Sequence, residues 1–229
     1  MSSNTPFSKA AIAELYANHF KDAPETAMGW TFMYCREDRL STAKVGIIGL
    51  NPGADREDSD TQTQQADWDW PKGGMAYTDQ KWGPADSHNP LQQQIVRMLE
   101  TLEVDSRDVF AAQLVPFRSR SWSKLPTPGV ALAAVRPLWQ EVAKKSPTIR
   151  LWISLGKQAG RELAAILEAG TPRRLNVGWN RQFAELYQAP DGRVVLALPH
   201  LSRFKLMTTA DRSEVDACLA AGKRLSGLA

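Results

Sequence analysis

The sequence predicts an α/β protein, a three-layer α/β/α sandwich with a central, mainly parallel sheet of four strands. Two observations support this fold class. Four short runs are almost wholly apolar, which is typical of parallel strands covered by helices on both faces. Segments with a helical apolar stripe separate these runs along the chain. The four predicted strands are Val45–Leu50, Asp108–Val115, Leu151–Leu155 and Val194–Leu198.

Five helices are predicted between and around these strands. Ser8 is the expected N-cap of the first, and Asn89 and Pro90 have the residue types of an N-cap and a first helical position. Two segments are less defined: Trp30–Cys35 fits a short strand or a loop, and a strand is expected near Phe183–Tyr187 in an otherwise irregular stretch. The helices are predicted to begin after Ser8, after Asn89, after Thr127, at Lys157 and at about Asp211.

The composition indicates one domain, residues 1–229, in a reducing compartment. The 28 Lys and Arg against 25 Asp and Glu give a net charge of +3, which permits nucleic acid as a partner and does not demand it. Cys35 and Cys218 lie far apart and match no zinc or iron–sulfur spacing, so we expect free thiols and no metal or redox cofactor. No run is long enough for a membrane span and no leader is evident, so a cytoplasmic protein is expected.

The first buried strand ends abruptly in the turn Gly49-Leu50-Asn51-Pro52-Gly53. In an open parallel sheet, ligands bind at the carboxyl ends of the strands, so this turn is a predicted binding site. Glycine lets a backbone approach a ligand closely, proline restricts the path, and Asn51 offers a polar side chain between them. The alternative interpretation is an ordinary exit from a strand into a loop.

Three other segments have the composition of a binding surface. Phe117–Lys124 mixes cations, hydroxyls and aromatics, which fits a loop that follows phosphates and equally fits a solvated loop. His200 directly follows the last predicted strand, and cations and an aromatic come after it. The long polar segment Ala54–Asn89 is either functional or packed on the core by its aromatics, which argue against disorder. Those aromatics are Trp68, Trp70, Tyr77 and Trp82.

With Asn51 after the first strand and His200 after the last, the sequence resembles the uracil-DNA glycosylase superfamily, whose members share a G-x-x-P-G-like first motif and a late H-P-S-like motif. Gly49–Gly53 is similar to the first motif of the single-strand-selective and mismatch-specific branches. The middle of the chain resembles the iron–sulfur bacterial and archaeal branch, and the resemblance spans about Lys44 to Phe204. The middle positions that match are Pro116 to Arg120, Pro126-Thr127-Pro128, Arg136-Pro137, Pro147 and Leu155-Gly156.

The sequence departs from the family pattern at three positions. Leu201 replaces the usual proline of the late motif, and Gln113 stands where many members place an asparagine that reads the pyrimidine edge. Val135 stands where a cysteine ligand is expected, so an iron–sulfur cluster is not predicted. In an alternative alignment, Leu201-Ser202-Arg203 matches the Leu-Ser-Arg of the mismatch-specific branch, and His200 is then less clearly catalytic.

The resemblance implies a monofunctional DNA glycosylase that flips uracil or a related damaged base out of DNA and hydrolyses its N-glycosidic bond in base excision repair. It implies that the Asn51 carbonyl positions the attacking water and that neutral His200 donates to the pyrimidine O2. The implied substrate-binding residues are Gly49, Leu50, Pro52, Gly53, Gln113 and Tyr77, the last as a stacking aromatic with Trp82 as second choice. The implied DNA-binding residues are Arg118, Arg120, Leu201, Ser202, Arg203, Phe204 and Lys205, with Leu201 or Phe204 as a wedge in the base stack.

Two other functions remain open on the sequence. One is a protein of the same fold that binds DNA without catalysis, which Leu201 and Gln113 favour. The other is an α/β enzyme acting on a small nucleotide, with the Gly-Pro turn at a phosphate. DNA is the expected partner, the expected state is a monomer, and no membrane association is predicted.

Overall fold

The computed structural model describes residues 6–53 and 66–228. Within these residues one six-stranded sheet organises the molecule, and a two-stranded sheet lies beside it. The strands are β1 (Trp30–Thr31), β2 (Val45–Gly49), β3 (Ala66–Asp67), β4 (Val109–Gln113), β5 (Leu151–Leu155), β6 (Arg173–Asn176), β7 (Phe183–Gln188) and β8 (Val194–Leu198). The order in the large sheet is β4-β2-β5-β8-β7-β6, and β1 pairs with β3.

The prediction of a four-stranded sheet is wrong, because the sheet has six strands. The four apolar runs do form strands, and β4, β2, β5 and β8 are mutually parallel. Beyond β8, strands β7 and β6 add an antiparallel pair at one edge. The edge strand β6 reads Arg-Arg-Leu-Asn and buries none of its residues, so no apolar pattern marks it. Its pairing rests on backbone hydrogen bonds to β7.

Seven α-helices connect and flank the strands in the described residues. The predicted caps of two of them are confirmed, since the backbone N–H of Ala11 donates to Ser8 Oγ at 3.1 Å and that of Gln92 to Asn89 Oδ1 at 2.9 Å. Thr127 precedes its helix without a side-chain cap bond. The helices are α1 (Lys9–Phe20), α2 (Arg39–Thr42), α3 (Ala76–Asp79), α4 (Pro90–Leu102), α5 (Pro128–Lys145), α6 (Lys157–Ile166) and α7 (Ser213–Ser226).

Two glycines show that helices cover both faces of the sheet. A Cβ built at Gly160 of α6 would overlap Ser154 and Ala197, which are paired across β5 and β8 on one face. A Cβ built at Gly222 of α7 would lie 3.2 Å from Leu151, whose side chain points to the opposite face. Because neither glycine carries a side chain, both helices sit close to the strands, and the buried strands lie between two helical layers.

The strand expected near Phe183–Tyr187 is confirmed as β7, while Trp30–Cys35 and the long polar segment take mixed conformations. Of the Trp30–Cys35 stretch, only β1 is a strand, while Met33 and Cys35 form isolated bridges to Ala112 and Met75. Residues 54–65 of the long polar segment lie outside the described residues, and the remainder holds β3 and α3. In the described part of the chain, no helix combines the length and the apolar composition that a membrane crossing requires.

Candidate active site at the carboxyl edge of the sheet

The four parallel strands end at one edge of the sheet, and the predicted site residues follow these ends. Gly49 at the end of β2 is paired with Gln113 at the end of β4. On the other side, β5 separates β2 from β8. Since neighbouring strands lie about 4.8 Å apart, the backbones leading to Asn51 and His200 are separated by about 10 Å. The two predicted catalytic residues therefore follow strands on either side of β5.

Asn51 is held with its amide nitrogen toward the protein. Its Nδ2 donates to Ser119 Oγ at 2.8 Å, to the Pro52 carbonyl at 3.2 Å and to the Phe117 carbonyl at 3.3 Å. Because carbonyl oxygens only accept, the atom that faces them must be the nitrogen. The Oδ1 has no hydrogen bond from the described residues, so Asn51 presents an acceptor to the site.

His200 has the opposite arrangement to Asn51, because the protein donates hydrogen bonds to the acceptor nitrogen of its ring. The backbone N–H of Ser202 donates to Nδ1 at 3.2 Å, and Ser202 Oγ lies 2.8 Å from the same atom. A backbone N–H can only donate, so the proton of the neutral ring is on Nε2. Burial and the nearby guanidinium of Arg203 lower the pKa of His200 below its ordinary 6.5. The imidazole is therefore neutral at pH 7 and presents an N–H donor.

Gln113 lies across the backbone of Gly49. A Cβ built at Gly49 would stand 2.2 Å from Gln113 Oε1, so only glycine leaves room for this glutamine. Gln113 Nε2 donates to the Tyr77 hydroxyl at 3.1 Å. The Oε1 is buried and has no hydrogen-bond partner among the described residues. A buried, unpaired acceptor is costly and needs an explanation, and a ligand that supplies a donor is one.

Tyr77 belongs to a cluster of three aromatic rings with Tyr34 and Trp82. The Tyr77 ring is 4.9 Å from that of Tyr34 and 5.3 Å from that of Trp82. Tyr77 is only 3% exposed, whereas Trp82 is 37% exposed and forms the outer part of the cluster. Burial raises the pKa of Tyr34, and raises the pKa of Tyr77 well above its ordinary value. Both hydroxyls therefore stay protonated, and the cluster is uncharged.

The loop after His200 contains both buried and exposed members of the predicted DNA-binding set. Leu201 is 1% exposed, so its side chain is part of the core in this structure. Phe204 is half-buried, and its ring stands edge to face with Trp179 at 6.4 Å. The exposed members are Ser202, Arg203 and Lys205. Of the two predicted wedges, only Phe204 lies at the surface.

Two buried glutamines of α4 fix the loops that carry the site. Gln94 donates through Nε2 to the Leu201 carbonyl and accepts at Oε1 from the Met207 backbone N–H at 3.1 Å. Gln92 accepts at Oε1 from the Trp82 backbone N–H at 3.0 Å and donates to the carbonyl of Tyr77. One helix thus positions both the His200 loop and the aromatic cluster.

The two predicted arginines of the loop after β4 differ. Arg118 points inward, where it donates to Thr31 Oγ1 and the Gly53 carbonyl and lies 3.6 Å from a carboxylate oxygen of Asp67. It therefore holds the Gly53 turn, and its side chain is only 14% exposed. Arg120 is exposed and has no ion pair with the described residues.

The remaining members of the first turn lie beside Asn51. Pro52 is buried and its carbonyl accepts from the Ser119 backbone N–H at 3.2 Å, while Leu50 is half-buried. Gly53 is exposed, with open space where a Cβ would be. The turn and the loop after β4 thus form one hydrogen-bonded unit around Asn51.

Four residues of the candidate site are not singled out in the sequence analysis: Ser119, Tyr34, Gly156 and Gln94. Ser119 lies within the predicted phosphate loop, but no pattern indicates its bond to Asn51. Gly156 has a φ of 127°, and a Cβ there would lie 3.4 Å from the His200 ring. Gln94 had a usable signal, because a polar residue three positions after Leu91 and four before Met98 falls within the apolar stripe of a helix.

A cavity lined by Arg36, Leu40 and Lys145 opens near α2 and the end of α5, which lead into the amino ends of β2 and β5. It is therefore at the opposite end of the sheet from Asn51 and His200. Cys35 and Cys218 are free and buried, and the described residues contain no group of three or more metal-ligating side chains.

The fold and the site define an open α/β protein with its polar groups at the carboxyl edge of the strands, where such proteins bind their ligands. The family model described as the Uracil DNA glycosylase superfamily matches residues 38–221, and the chain belongs to this superfamily. The matched range contains Asn51, Gln113 and His200. A comparison with curated proteins finds no match.

Proposed function

We propose that this protein is a monofunctional DNA glycosylase that hydrolyses the N-glycosidic bond of uracil or a related damaged base after flipping it from the helix. Membership of the superfamily indicates glycosylase chemistry in general. The observation that supports the specific proposal is the pairing of an amide acceptor at Asn51 with a neutral imidazole donor at His200, on strands separated only by β5.

The two residues match the two charges that glycosidic cleavage produces. The sugar becomes positive, and the Asn51 Oδ1 can hold a water on that side by accepting its proton in a hydrogen bond. An amide is not a strong base, so its role is to position the water. The leaving pyrimidine becomes negative at O2, and His200 Nε2–H can donate to it. A single preorganised donor of this kind contributes typically about 3 kcal/mol.

Gln113 is the proposed reader of the base edge. Its Nε2 donates to the Tyr77 hydroxyl, and its Oε1 acceptor has no hydrogen-bond partner among the described residues. This oxygen pairs with a base that has an N–H on its edge, as uracil does at N3, and disfavours a base that presents an acceptor there. The oxygen is enclosed, so a base reaches it only when the covering side chains shift. Tyr77 and Trp82 then supply the ring surface beside the base.

The test is cleavage of labelled oligonucleotides that carry one uracil, either single-stranded or opposite guanine or adenine, with strand breaks developed by alkali. The protein is prepared from a host without its own uracil-DNA glycosylase. We expect base release by the wild type and at least a tenfold lower rate for Asn51→Ala and His200→Ala. An otherwise identical oligonucleotide with thymine is the control for specificity.

Three results would contradict the proposal. Wild-type rates in both variants would reject the assignment of Asn51 and His200. Tight binding to abasic or uracil-containing DNA without release of any damaged base would identify a non-catalytic DNA-binding protein. Weak binding that does not depend on salt would instead favour a small nucleotide as the substrate, because phosphate contacts make affinity fall steeply with salt.

A further inference from the structure

Two cations lie against one aromatic ring, that of Phe183 in β7: Lys157, the first residue of α6, and Arg174 of β6. Lys157 Nζ lies 3.8 Å from the centre of the Phe183 ring, and the guanidinium carbon of Arg174 lies 4.5 Å from it. Neither cation has a carboxylate within ion-pair distance among the described residues. An aromatic face holds a cation in place without neutralising it, so both charges stay available to an anion.

A neighbouring cation shows the contrast. Arg161, one helical turn after Lys157, donates to both carboxylate oxygens of Glu185 at 3.0 Å and 2.6 Å. The Glu185 side chain is only 4% exposed and also accepts from the Tyr187 hydroxyl at 2.7 Å. The charge of Arg161 is therefore balanced by Glu185. The same carboxylate interacts with Lys157 and lies opposite Arg174 in the register of β6 and β7. One carboxylate thus stands among three cations, and the pair Lys157 and Arg174 carries the unbalanced charge.

The unbalanced pair lies at the same edge of the sheet as the candidate active site. The antiparallel pairing of Glu185 with Ala197 places Phe183 beside Pro199, the residue before His200. The turn between β6 and β7 continues this surface, because Trp179 contacts Phe204 and Arg181 is exposed. The turn of the hairpin and the His200 loop are therefore in contact, and exposed cations lie on both.

We propose that Lys157 and Arg174, fixed by Phe183, bind backbone phosphates of the DNA that flanks the flipped nucleotide on the side of β7 and β6. This inference rests on the proposed function, since it concerns the same substrate, and it adds a binding surface outside the loops predicted to contact DNA. Phosphate binding to exposed Lys and Arg is independent of sequence and fixes the orientation of the strand.

The spacing of the strands sets the position of this contact. Strand β6, which carries Arg174, lies two inter-strand steps of about 4.8 Å from β8, or about 10 Å. The rise along one DNA strand is about 3.4 Å per nucleotide, so the phosphate that Arg174 contacts lies about three nucleotides from the flipped one. Lys157 follows β5 and reaches only to the Phe183 ring on β7, so its phosphate lies nearer. A substrate that ends sooner on that side cannot reach the surface.

The test compares the salt dependence of DNA binding in three proteins: the wild type, the double variant Lys157→Ala/Arg174→Ala, and the matched control Lys44→Ala/Arg107→Ala. The control removes two exposed cations that lie before β2 and β4, at the other end of the sheet. The probe is an undamaged 20-base-pair duplex, and the same duplex with one abasic-site analogue. Affinity falls with salt, and we expect the magnitude of the slope of log affinity against log salt to be smaller by about 2 in the double variant only. Each phosphate contact contributes about 0.9 to this magnitude.

A second series uses duplexes shortened on either side of the abasic analogue. The wild type should lose affinity on one side when fewer than about three base pairs remain, and the double variant should not show this loss. Unchanged slopes in the double variant, or equal losses in the control, would overturn the proposal. Neither probe contains a scissile base, so the result is independent of base release. If the wild type releases no base and the double variant still has the smaller slope, the result contradicts the proposed activity and supports the phosphate contacts.

Discussion

The loops after β2 and after β8 hold their functional side chains by opposite hydrogen-bonding arrangements. In the first loop the protein occupies the donor of Asn51 and leaves its acceptor free. In the second the protein occupies the acceptor of His200 and leaves its donor free. The same kind of local bond, made to a different atom, thus leaves a free acceptor in one loop and a free donor in the other, and these are the two groups that the proposed cleavage requires.

Removing the two side chains tests this comparison most directly. We expect His200→Ala to lower the rate of base release by about 100-fold to 1,000-fold, the usual effect of losing one oxyanion donor. Asn51→Ala should cost at least about tenfold but less than His200→Ala, because a positioning amide contributes less than a charge-stabilising donor. Single-turnover rates on a uracil oligonucleotide check the order. An Asn51 effect larger than the His200 effect would reverse the assigned roles.

The next largest effect is expected from Gln94 of α4, which supports the loop after β8. Gln94→Leu leaves the Leu201 carbonyl and the Met207 N–H without partners, and we expect a loss of about 2 kcal/mol in the free energy of unfolding, together with slower base release. Chemical denaturation measures the first and the glycosylase assay the second. The neighbouring Gln93 is exposed, so Gln93→Leu is the matched control and should change neither quantity much. Equal losses in the two variants would contradict the assigned role of Gln94.

Ser119 and Ser202 test the individual hydrogen bonds that hold Asn51 and His200. Ser119→Ala removes the shortest bond of the Asn51 amide and should slow base release about fivefold, which corresponds to about 1 kcal/mol. Ser202→Ala leaves the backbone N–H on His200 Nδ1, so its effect should be about twofold at most. Single-turnover rates of base release, measured side by side for the two variants, give the two effects. A larger effect for Ser202→Ala would show that its hydroxyl, and not its backbone, fixes the ring.

The smallest expected effect is a change in pH dependence. Because neutral His200 is the active form and its pKa lies below 6.5, the rate should be flat from pH 8 to 6.5 and fall only at lower pH. Arg203→Ala removes one of the two causes of the lowered pKa and should move this acid limb to higher pH. Lys205→Ala is the control and should leave the limb in place. Over the same acid range the unfolded chain binds this proton first, so stability also declines as pH falls below 6.5.

Much of this site follows from the sequence, because apolar runs identify buried strands and the polar residues after them must meet at one edge. Asn51 and His200 are predicted in that way, and Gln113 is implied by the resemblance to the family. The bond from Asn51 to Ser119 is not predicted, since it joins two loops whose relative position depends on the sheet register. Of the two strands beyond the four apolar runs, β7 matches the strand expected near Phe183–Tyr187, and β6 is not predicted, because it has no buried residue and therefore no apolar signal.

The left-handed backbone of Gly156 lets β5 end directly beside the His200 ring. A Cβ at this position would lie 3.4 Å from that ring, and a φ of 127° is strained for any residue with a side chain. The position of the imidazole therefore depends on the end of a neighbouring strand as well as on the loop that carries it. If the proposed function holds, a substitution at Gly156 is expected to slow base release by displacing His200 while the hydrogen bonds of Asn51 stay in place.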